Sequence, residues 1–81
     1  MEIKILGTGC ANCQKLERLT KEVIQELGIE ATVDKVTDLK EIARAGVLMT
    51  PGLVVDGEVK ASGRVPSKAE ITQIITSALA K

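Results

Sequence analysis

Two cysteines, Cys10 and Cys13, are the residues of this 81-residue chain whose type and spacing are best suited to chemistry. Two thiols in a Cys-x-x-Cys arrangement can form a reversible disulfide, supply half of a zinc site or carry a soft metal. Residues at i and i+3 of a helical turn lie about 5 Å apart, within the ~4.4–6.8 Å between Cα atoms that a disulfide requires. The chain has no His, which excludes Cys–His nucleophilic sites and histidine metal ligands.

The sequence on either side of the pair predicts a strand that leads into it and a helix that leads out of it. Residues 2–6, EIKIL, alternate as a strand does, and Gly7 and Gly9 allow a tight turn. A helix is predicted from about Ala11 to Leu27, and Gly28 is expected to end it. Five residues form its apolar face: Leu16, Leu19, Val23, Ile24 and Leu27.

These elements predict different surroundings for the two thiols. Cys10 is expected at the N-cap of the helix, where unpaired N–H groups and the positive end of the helix dipole favour a thiolate. Such a position can lower the pKa of a cysteine to between ~3.5 and 7.5. Because only a thiolate attacks a disulfide, Cys10 is the predicted nucleophile. Cys13 precedes Leu16 by one helical turn and is expected to face inward, as the thiol that resolves a mixed disulfide.

The middle of the chain predicts a second strand followed by a short helix. Residues 29–36, IEATVDKV, alternate. Thr37 is expected to cap a helix from Asp38 to about Ala45, which Gly46 ends. The apolar segment 45–50, AGVLMT, has two interpretations: a patch for docking a partner beside the site, or core that leads into the next strand.

The last third of the chain predicts a hairpin and a terminal helix. Asp56-Gly57 is a strong turn signal between strands over residues 53–55 and 58–62. Ser67 and Glu70 form a capping box, and an apolar stripe follows it, at Ile71, Ile74, Ile75 and Ala78. The order β-α-β-α-β-β-α predicts one α/β domain over residues 1–81, with helices packed on a four-stranded mixed sheet.

Composition excludes several classes of function. Lys and Arg number 11 and Asp and Glu number 11, and aromatic residues are absent. A nucleic-acid-binding domain would normally carry a positive excess and stacking side chains. The start, MEIKILG, lacks the features of a secretory signal, and no apolar run approaches the ~18 residues of a membrane span. We therefore expect a cytoplasmic protein, monomeric and without a cofactor.

The loop CANC at the start of a helix, Thr50-Pro51 before the third strand, the tight hairpin and the closing helix together resemble a minimal thioredoxin or glutaredoxin fold. More closely, the chain resembles the small thioredoxin-like redox-active disulfide proteins of prokaryotes, over essentially its whole length. The resemblance implies an active-site loop that includes Gly9, Ala11 and Asn12 around the two cysteines. It also implies that Pro51 is a cis proline facing the pair, where the Thr50 backbone would bind an extended partner segment.

The same resemblance implies a thiol–disulfide oxidoreductase. Its partners would be a disulfide-containing protein and a reductase or low-molecular-weight thiol that resets the pair. Thioredoxins also place a buried acid on the strand that leads into the site, whereas this chain has only Lys4 there, or Glu2 further back. The group that exchanges a proton with Cys13 is therefore unassigned, and water or Lys15 are the candidates.

Two alternatives use the same thiols. The segment GTGCANC also resembles the Gly-Met-x-Cys-x-x-Cys loop of soft-metal chaperone domains, although Thr8 replaces the Met. Those domains end in a strand, whereas this chain is predicted to end in a helix, which favours the thioredoxin-like interpretation. A structural zinc needs four ligands, so zinc would require two copies of the chain. The other alternative is a regulator whose disulfide senses redox state without turnover.

Overall fold

The computed structural model describes residues 1–47 and 49–80, and the predicted order of elements is confirmed within them. The strands are β1 (Glu2–Leu6), β2 (Thr32–Val36), β3 (Gly52–Val55) and β4 (Glu58–Ser62). The helices are α1 (Ala11–Leu27), α2 (Leu39–Arg44) and α3 (Lys68–Leu79). None of these helices is long and apolar enough to cross a membrane.

The four strands form one mixed sheet, as predicted, and their order in it is β2-β1-β3-β4. β1 is parallel to β2 and antiparallel to β3, and β3 and β4 form an antiparallel hairpin. Asp56 and Gly57 connect the hairpin with positive φ angles of 48° and 84°, the conformation for which Asp-Gly turns are favoured. In the parallel pair, Ile5 of β1 lies beside Lys35 of β2.

Helices cover both faces of the sheet because the strand side chains alternate between them. On one face, α1 and α3 pack on β1 and β3. Their buried cluster comprises Ile3, Ile5, Leu16, Val23, Leu53, Val55, Ala61, Ile71 and Ile75. On the other face α2 packs on the same two strands, and the cluster there comprises Leu6, Ile42, Val47 and Val54. The apolar stripes predicted for α1 and α3 therefore form the core, except that Leu27 is partly exposed.

The second strand was predicted to begin at Ile29, but it begins at Thr32. Gly28 caps α1 in the left-handed conformation, and its N–H donates to Ile24 and Gln25. Ile29 also donates its N–H to the Ile24 carbonyl, so this residue still belongs to the end of α1. Pairing with β1 begins only at Thr32.

The predicted cap of the short helix was wrong by one residue. Asp38, rather than Thr37, is the N-cap of α2, and its carboxylate accepts the N–H of Lys40 at 2.9 Å. The helix then ends at Arg44. Asp and Thr are both suitable caps, so the two adjacent candidates left this boundary ambiguous. The cap predicted for α3 is confirmed, since Ser67 Oγ accepts the N–H of Glu70 at 3.2 Å.

Each of the two interpretations of segment 45–50 holds for a different part of it. Val47 is buried among the residues beneath α2, and it closely contacts Gly52 at the start of β3. Met49 instead exposes 67% of its surface, and Leu48 lies outside the described residues. The segment is therefore core at Val47 and surface at Met49.

Candidate active site at the Cys10–Cys13 pair

Cys10 and Cys13 are joined as a disulfide at the N-terminus of α1. Their Cα atoms are 5.1 Å apart, as the i,i+3 spacing predicted. The bond closes within the N-cap and first turn of a single helix.

Cys10 is the N-cap residue of α1, in the position predicted for it. Its backbone is extended, with φ −67° and ψ 167°, and its Sγ accepts the backbone N–H of Cys13 at 3.2 Å. The side chain is exposed, and the first turn of α1 contains no acidic residue that would repel a negative sulfur. An exposed sulfur that receives an N–H at the positive end of a helix is placed to be stabilised as a thiolate.

The turn before the helix is held by Gly9 and Gln14. Gly9 has a φ of +88°, which a residue with a Cβ rarely adopts. Gln14 donates its side-chain Nε2 to the Gly9 carbonyl at 3.2 Å, and its backbone N–H to the Cys10 carbonyl at 3.0 Å. Ala11 and Asn12, between the cysteines, are exposed, so the predicted active-site loop lies at the surface.

Cys13 is only 5% exposed and faces inward, as predicted. Gly7 makes room for it, because a Cβ on Gly7 would collide with the Cys13 sulfur. The sequence suggested only turn flexibility for Gly7, yet its φ is not positive. Its role is to let the backbone approach the sulfur, and nothing in the sequence distinguishes that role from a turn.

Thr50 and Pro51 lie at the same end of the sheet as the cysteines. A Cβ on Gly7 would also be 3.9 Å from Thr50 Cβ, so Gly7 stands between Cys13 and Thr50. The Thr50–Pro51 peptide bond is cis, which confirms the prediction made from the resemblance. Pro51 is buried, whereas Thr50 is exposed.

The segment around Pro51 is anchored to the end of β4. The Pro51 carbonyl accepts the N–H of Gly63 at 2.9 Å, and the Met49 carbonyl accepts the hydroxyl of Ser62 at 3.2 Å. These two bonds flank Thr50, whose backbone makes no hydrogen bond to another described residue.

Residues 1–76 match the sequence profile of the thioredoxin domain family. The chain belongs to this family. It is 51% identical over 76 residues to a thioredoxin of Methanothermobacter thermautotrophicus, a match that covers 94% of this chain and 99% of that protein. It is also 42% identical over 77 residues to a thioredoxin of Methanocaldococcus jannaschii, covering 95% of this chain and 88% of the relative.

The predicted thioredoxin-like fold and the predicted activity are thereby confirmed. This member of the thioredoxin domain family is a thiol–disulfide oxidoreductase, with its Cys-x-x-Cys pair in bonding contact. Within residues 1–47 and 49–80, no cluster of three or more His, Cys, Asp or Glu side chains is arranged to hold a metal ion.

A cavity of about 90 Å³ lies beside Cys13 in this thioredoxin-family protein. Gly7 and Ile5 form part of its wall, and its polar lining comes from Gln14, Lys35 and Thr37. Neither Lys4 nor Glu2 of the leading strand lines the cavity, because side chains alternate along a strand and these two lie on the opposite face of β1 from Ile5. Lys15 is not among the lining residues either. Sequence reasoning missed Lys35 and Thr37, whose place beside Cys13 depends on the pairing of β2 with β1.

Proposed function

We propose that Cys10 is the nucleophile and Cys13 the resolving thiol of this oxidoreductase. The observation that carries the assignment is the contrast between the two sulfurs. Cys10 Sγ is exposed at the N-cap and accepts a helical N–H, whereas Cys13 is 5% exposed beneath Gly7. A partner disulfide can reach Cys10 Sγ directly. Cys13 Sγ is buried and lies within bonding distance of Cys10 Sγ.

The reaction proceeds in two exchanges. In the reduced protein, the Cys10 thiolate attacks one sulfur of the partner disulfide, and the other partner sulfur leaves as a thiolate. Cys13 then loses its proton and attacks Cys10 Sγ, which closes the internal disulfide and releases the second partner sulfur as a thiolate. Two electrons have passed to the partner, and a reductase or a low-molecular-weight thiol returns the pair to its dithiol form.

The partner segment binds beside Thr50 in an extended conformation. The exposed Thr50 backbone makes no hydrogen bond to another described residue, and its neighbours are held by Ser62 and Gly63. A rigid, unpaired backbone position can add main-chain hydrogen bonds to an extended peptide. Thr50 and Pro51 are therefore assigned to substrate binding, and Gly9, Ala11 and Asn12 to the loop around the nucleophile.

The substrates are proteins that contain disulfides, and the cytoplasm is the proposed site of action. A Cys-x-x-Cys pair in a reducing compartment is more often catalytic than structural. One chain carries both sulfurs of the reaction, so a monomer is sufficient for it.

The test measures reduction of insulin disulfides with dithiothreitol as the electron donor, for the native protein, Cys10→Ser and Cys13→Ser. Native protein is expected to be active and Cys10→Ser inactive. Reduced Cys13→Ser, freed of dithiothreitol before insulin is added, is expected to accumulate a mixed disulfide through Cys10, identified by mass spectrometry of tryptic peptides kept unreduced. Activity retained by Cys10→Ser would refute the assignment of the nucleophile.

Metal analysis of the purified protein separates this function from the soft-metal alternative. Stoichiometric copper or zinc together with no reversible disulfide would favour the carrier. A reversible disulfide without insulin reduction would favour the redox-sensing regulator.

A further inference from the structure

Three cationic side chains of this neutral chain have no carboxylate partner among the described residues. Lys15, Arg18 and Lys40 are exposed, and none of them forms an ion pair with another described residue. The other described Lys and Arg side chains are paired with a carboxylate: Lys4, Lys21, Lys35, Arg44, Lys60, Arg64 and Lys68. The unpaired positive charge of the described side chains is therefore confined to three positions.

Lys15 and Arg18 lie on an exposed stripe of α1 that begins beside the nucleophile. Ala11, Lys15 and Arg18 are spaced i, i+4 and i+7, which places them on one side of the helix, and all three are exposed. Ala11 directly follows Cys10 in the chain. Because helical side chains lean toward the N-terminus of their helix, both cationic groups lean toward the Cys10 end of α1.

Lys40 lies at the same end of the sheet but on its other face. The parallel strands β1 and β2 end together, where the Gly7 N–H donates to the Val36 carbonyl at 2.9 Å. α2 begins at this end, and its N-cap Asp38 accepts the N–H of Lys40 at 2.9 Å. Since α1 and α2 cover opposite faces of the sheet, the three cations flank the active-site end from both sides.

The opposite end of the sheet is acidic. Its carboxylates lie at the start of β1, before β2 and around the hairpin turn, at Glu2, Glu30, Asp56 and Glu58. At the active-site end, Asp38 offsets one of the three cations, and Glu17 is shared by two lysines. The chain is neutral as a whole, so its charges are separated into a positive active-site end and a negative opposite end.

We propose that the surface formed by Lys15, Arg18 and Lys40 docks an acidic segment of the partner protein, next to the disulfide that Cys10 attacks. The inference rests on the function proposed above and adds the charge of the partner that this protein prefers. Complementary charges raise the rate of encounter, and the separation of charge turns the Cys10 end toward an acidic partner. A partner with basic residues around its disulfide is repelled.

The test compares two peptides that share one disulfide loop and differ in its flanks, which are Glu residues in one peptide and Lys residues in the other. Reduced protein, freed of dithiothreitol, is mixed with each peptide at physiological salt, and the second-order rate constant of peptide reduction is measured. The acidic peptide is expected to react about eightfold faster, or about twofold for each of the three cations. The ratio should approach one at about 1 M salt, where the screening length is about 3 Å.

Removing the cations tests which charges produce the preference. Lys15→Gln/Arg18→Gln is expected to lower the ratio to about twofold, and Lys40→Gln to about fourfold. Each variant should slow the acidic peptide and speed the basic one, because an attraction and a repulsion are both removed. A change in the reactivity of Cys10 would instead slow both peptides together, and that result would overturn the inference.

Lys21→Gln/Lys68→Gln is the matched control, since it removes the same charge as Lys15→Gln/Arg18→Gln, but from ion-paired side chains. Lys21 lies eleven residues beyond Cys10, about 16 Å along the helix axis, and the screening length is about 8 Å at physiological salt. The control is expected to keep the native ratio. An equal fall in the control would show that net charge rather than this surface sets the preference, and would overturn the inference.

A binding measurement separates this inference from the proposed function. The acidic peptide, with serines in place of its cysteines, is titrated into isotope-labelled oxidised protein and followed by NMR. Shifts are expected at the amides of Lys15, Arg18 and Lys40, and Lys15→Gln/Arg18→Gln should suppress those on α1. Failure of both disulfide peptides to react would refute the proposed function, whereas shifts confined to other residues, or none, would overturn the docking surface.

Discussion

The backbone N–H of Cys13 points at the sulfur of Cys10, with 3.2 Å between the nitrogen and Sγ. One residue therefore supplies both the second thiol of the pair and a hydrogen bond to the first. The bond is made by the N-terminal turn of α1, where N–H groups have no partner within the helix. The geometry makes the two thiols chemically unequal, and the first prediction measures that inequality.

In the reduced protein, iodoacetamide is expected to alkylate Cys10 at least about tenfold faster than Cys13. Cys10 is exposed at the N-cap, whereas Cys13 is buried. The rate at Cys10 should reach half its maximum below the ordinary cysteine pKa of about 8.5. Peptide mapping by mass spectrometry resolves the two sites, and unfolded protein is the control, in which the rates should be similar. Faster alkylation of Cys13 in the folded protein would contradict the assigned roles.

Gly7→Ala is expected to lower the free energy of unfolding by about 1–3 kcal/mol, as overpacking of a buried site does. The added Cβ would collide with Cys13 Sγ. Chemical denaturation of the oxidised and the reduced protein measures the cost.

A double-mutant cycle tests the cause of that cost. Gly7→Ala should be less destabilising in a Cys13→Ala background, where the sulfur is absent, than in the reduced native protein. Equal costs in the two backgrounds would show that the sulfur is not what excludes a side chain at Gly7.

Ser62→Ala is expected to weaken binding of a protein substrate more than it weakens the fold. It removes the hydrogen bond to the Met49 carbonyl, next to Thr50. The loss of one exposed hydrogen bond should change stability by no more than about 1 kcal/mol. The KM for insulin should rise, while the rate with a small aromatic disulfide stays unchanged.

Ser77→Ala on α3 is the control for Ser62→Ala, since it deletes an exposed hydroxyl outside the site. Equal KM values for native protein and Ser62→Ala would contradict a docking role for the Thr50 segment.

The ion pairs of Lys68 are expected to give a pH-dependent stabilisation of α3 against α1. Lys68 contacts Glu26, and its Nζ is 3.7 Å from Glu22. The hydrogen bond with Glu26 raises the pKa of Lys68 above its ordinary value of 10.5. The folded state then binds this proton more tightly than the unfolded state. The stabilisation is fully present below pH 10.5 and is lost as the pH rises through the raised pKa.

Thermal unfolding of Lys68→Met measures this contribution. Its Tm should lie slightly below that of the native protein at neutral pH, and the difference should shrink in alkaline buffer and in high salt. Lys40→Met is the control, because Lys40 has no ion pair with another described residue. A Tm difference that grows with pH would contradict the sign of the shift.

Much of the fold could be predicted because its signals are local. The alternation of EIKIL, the apolar face of α1 with Gly28 at its end, and the Asp56-Gly57 turn each depend on neighbouring residues, and the corresponding elements appear as predicted. The errors lie at boundaries where two signals compete. Ile29 continues an alternating pattern but is held by the cap of α1, and Thr37 and Asp38 are adjacent capping residues.

By itself, the sequence determined the reactive pair and its place at the start of a helix, because a Cys-x-x-Cys spacing and helix periodicity are properties of one continuous segment. Only the tertiary structure decided what surrounds the second sulfur. Gly7 approaches it from the end of β1, and Lys35 reaches the cavity from β2, where it pairs with Ile5. Those neighbours come from strand register and from the packing of α1 on the sheet, which join residues far apart in the chain and leave no local pattern in it.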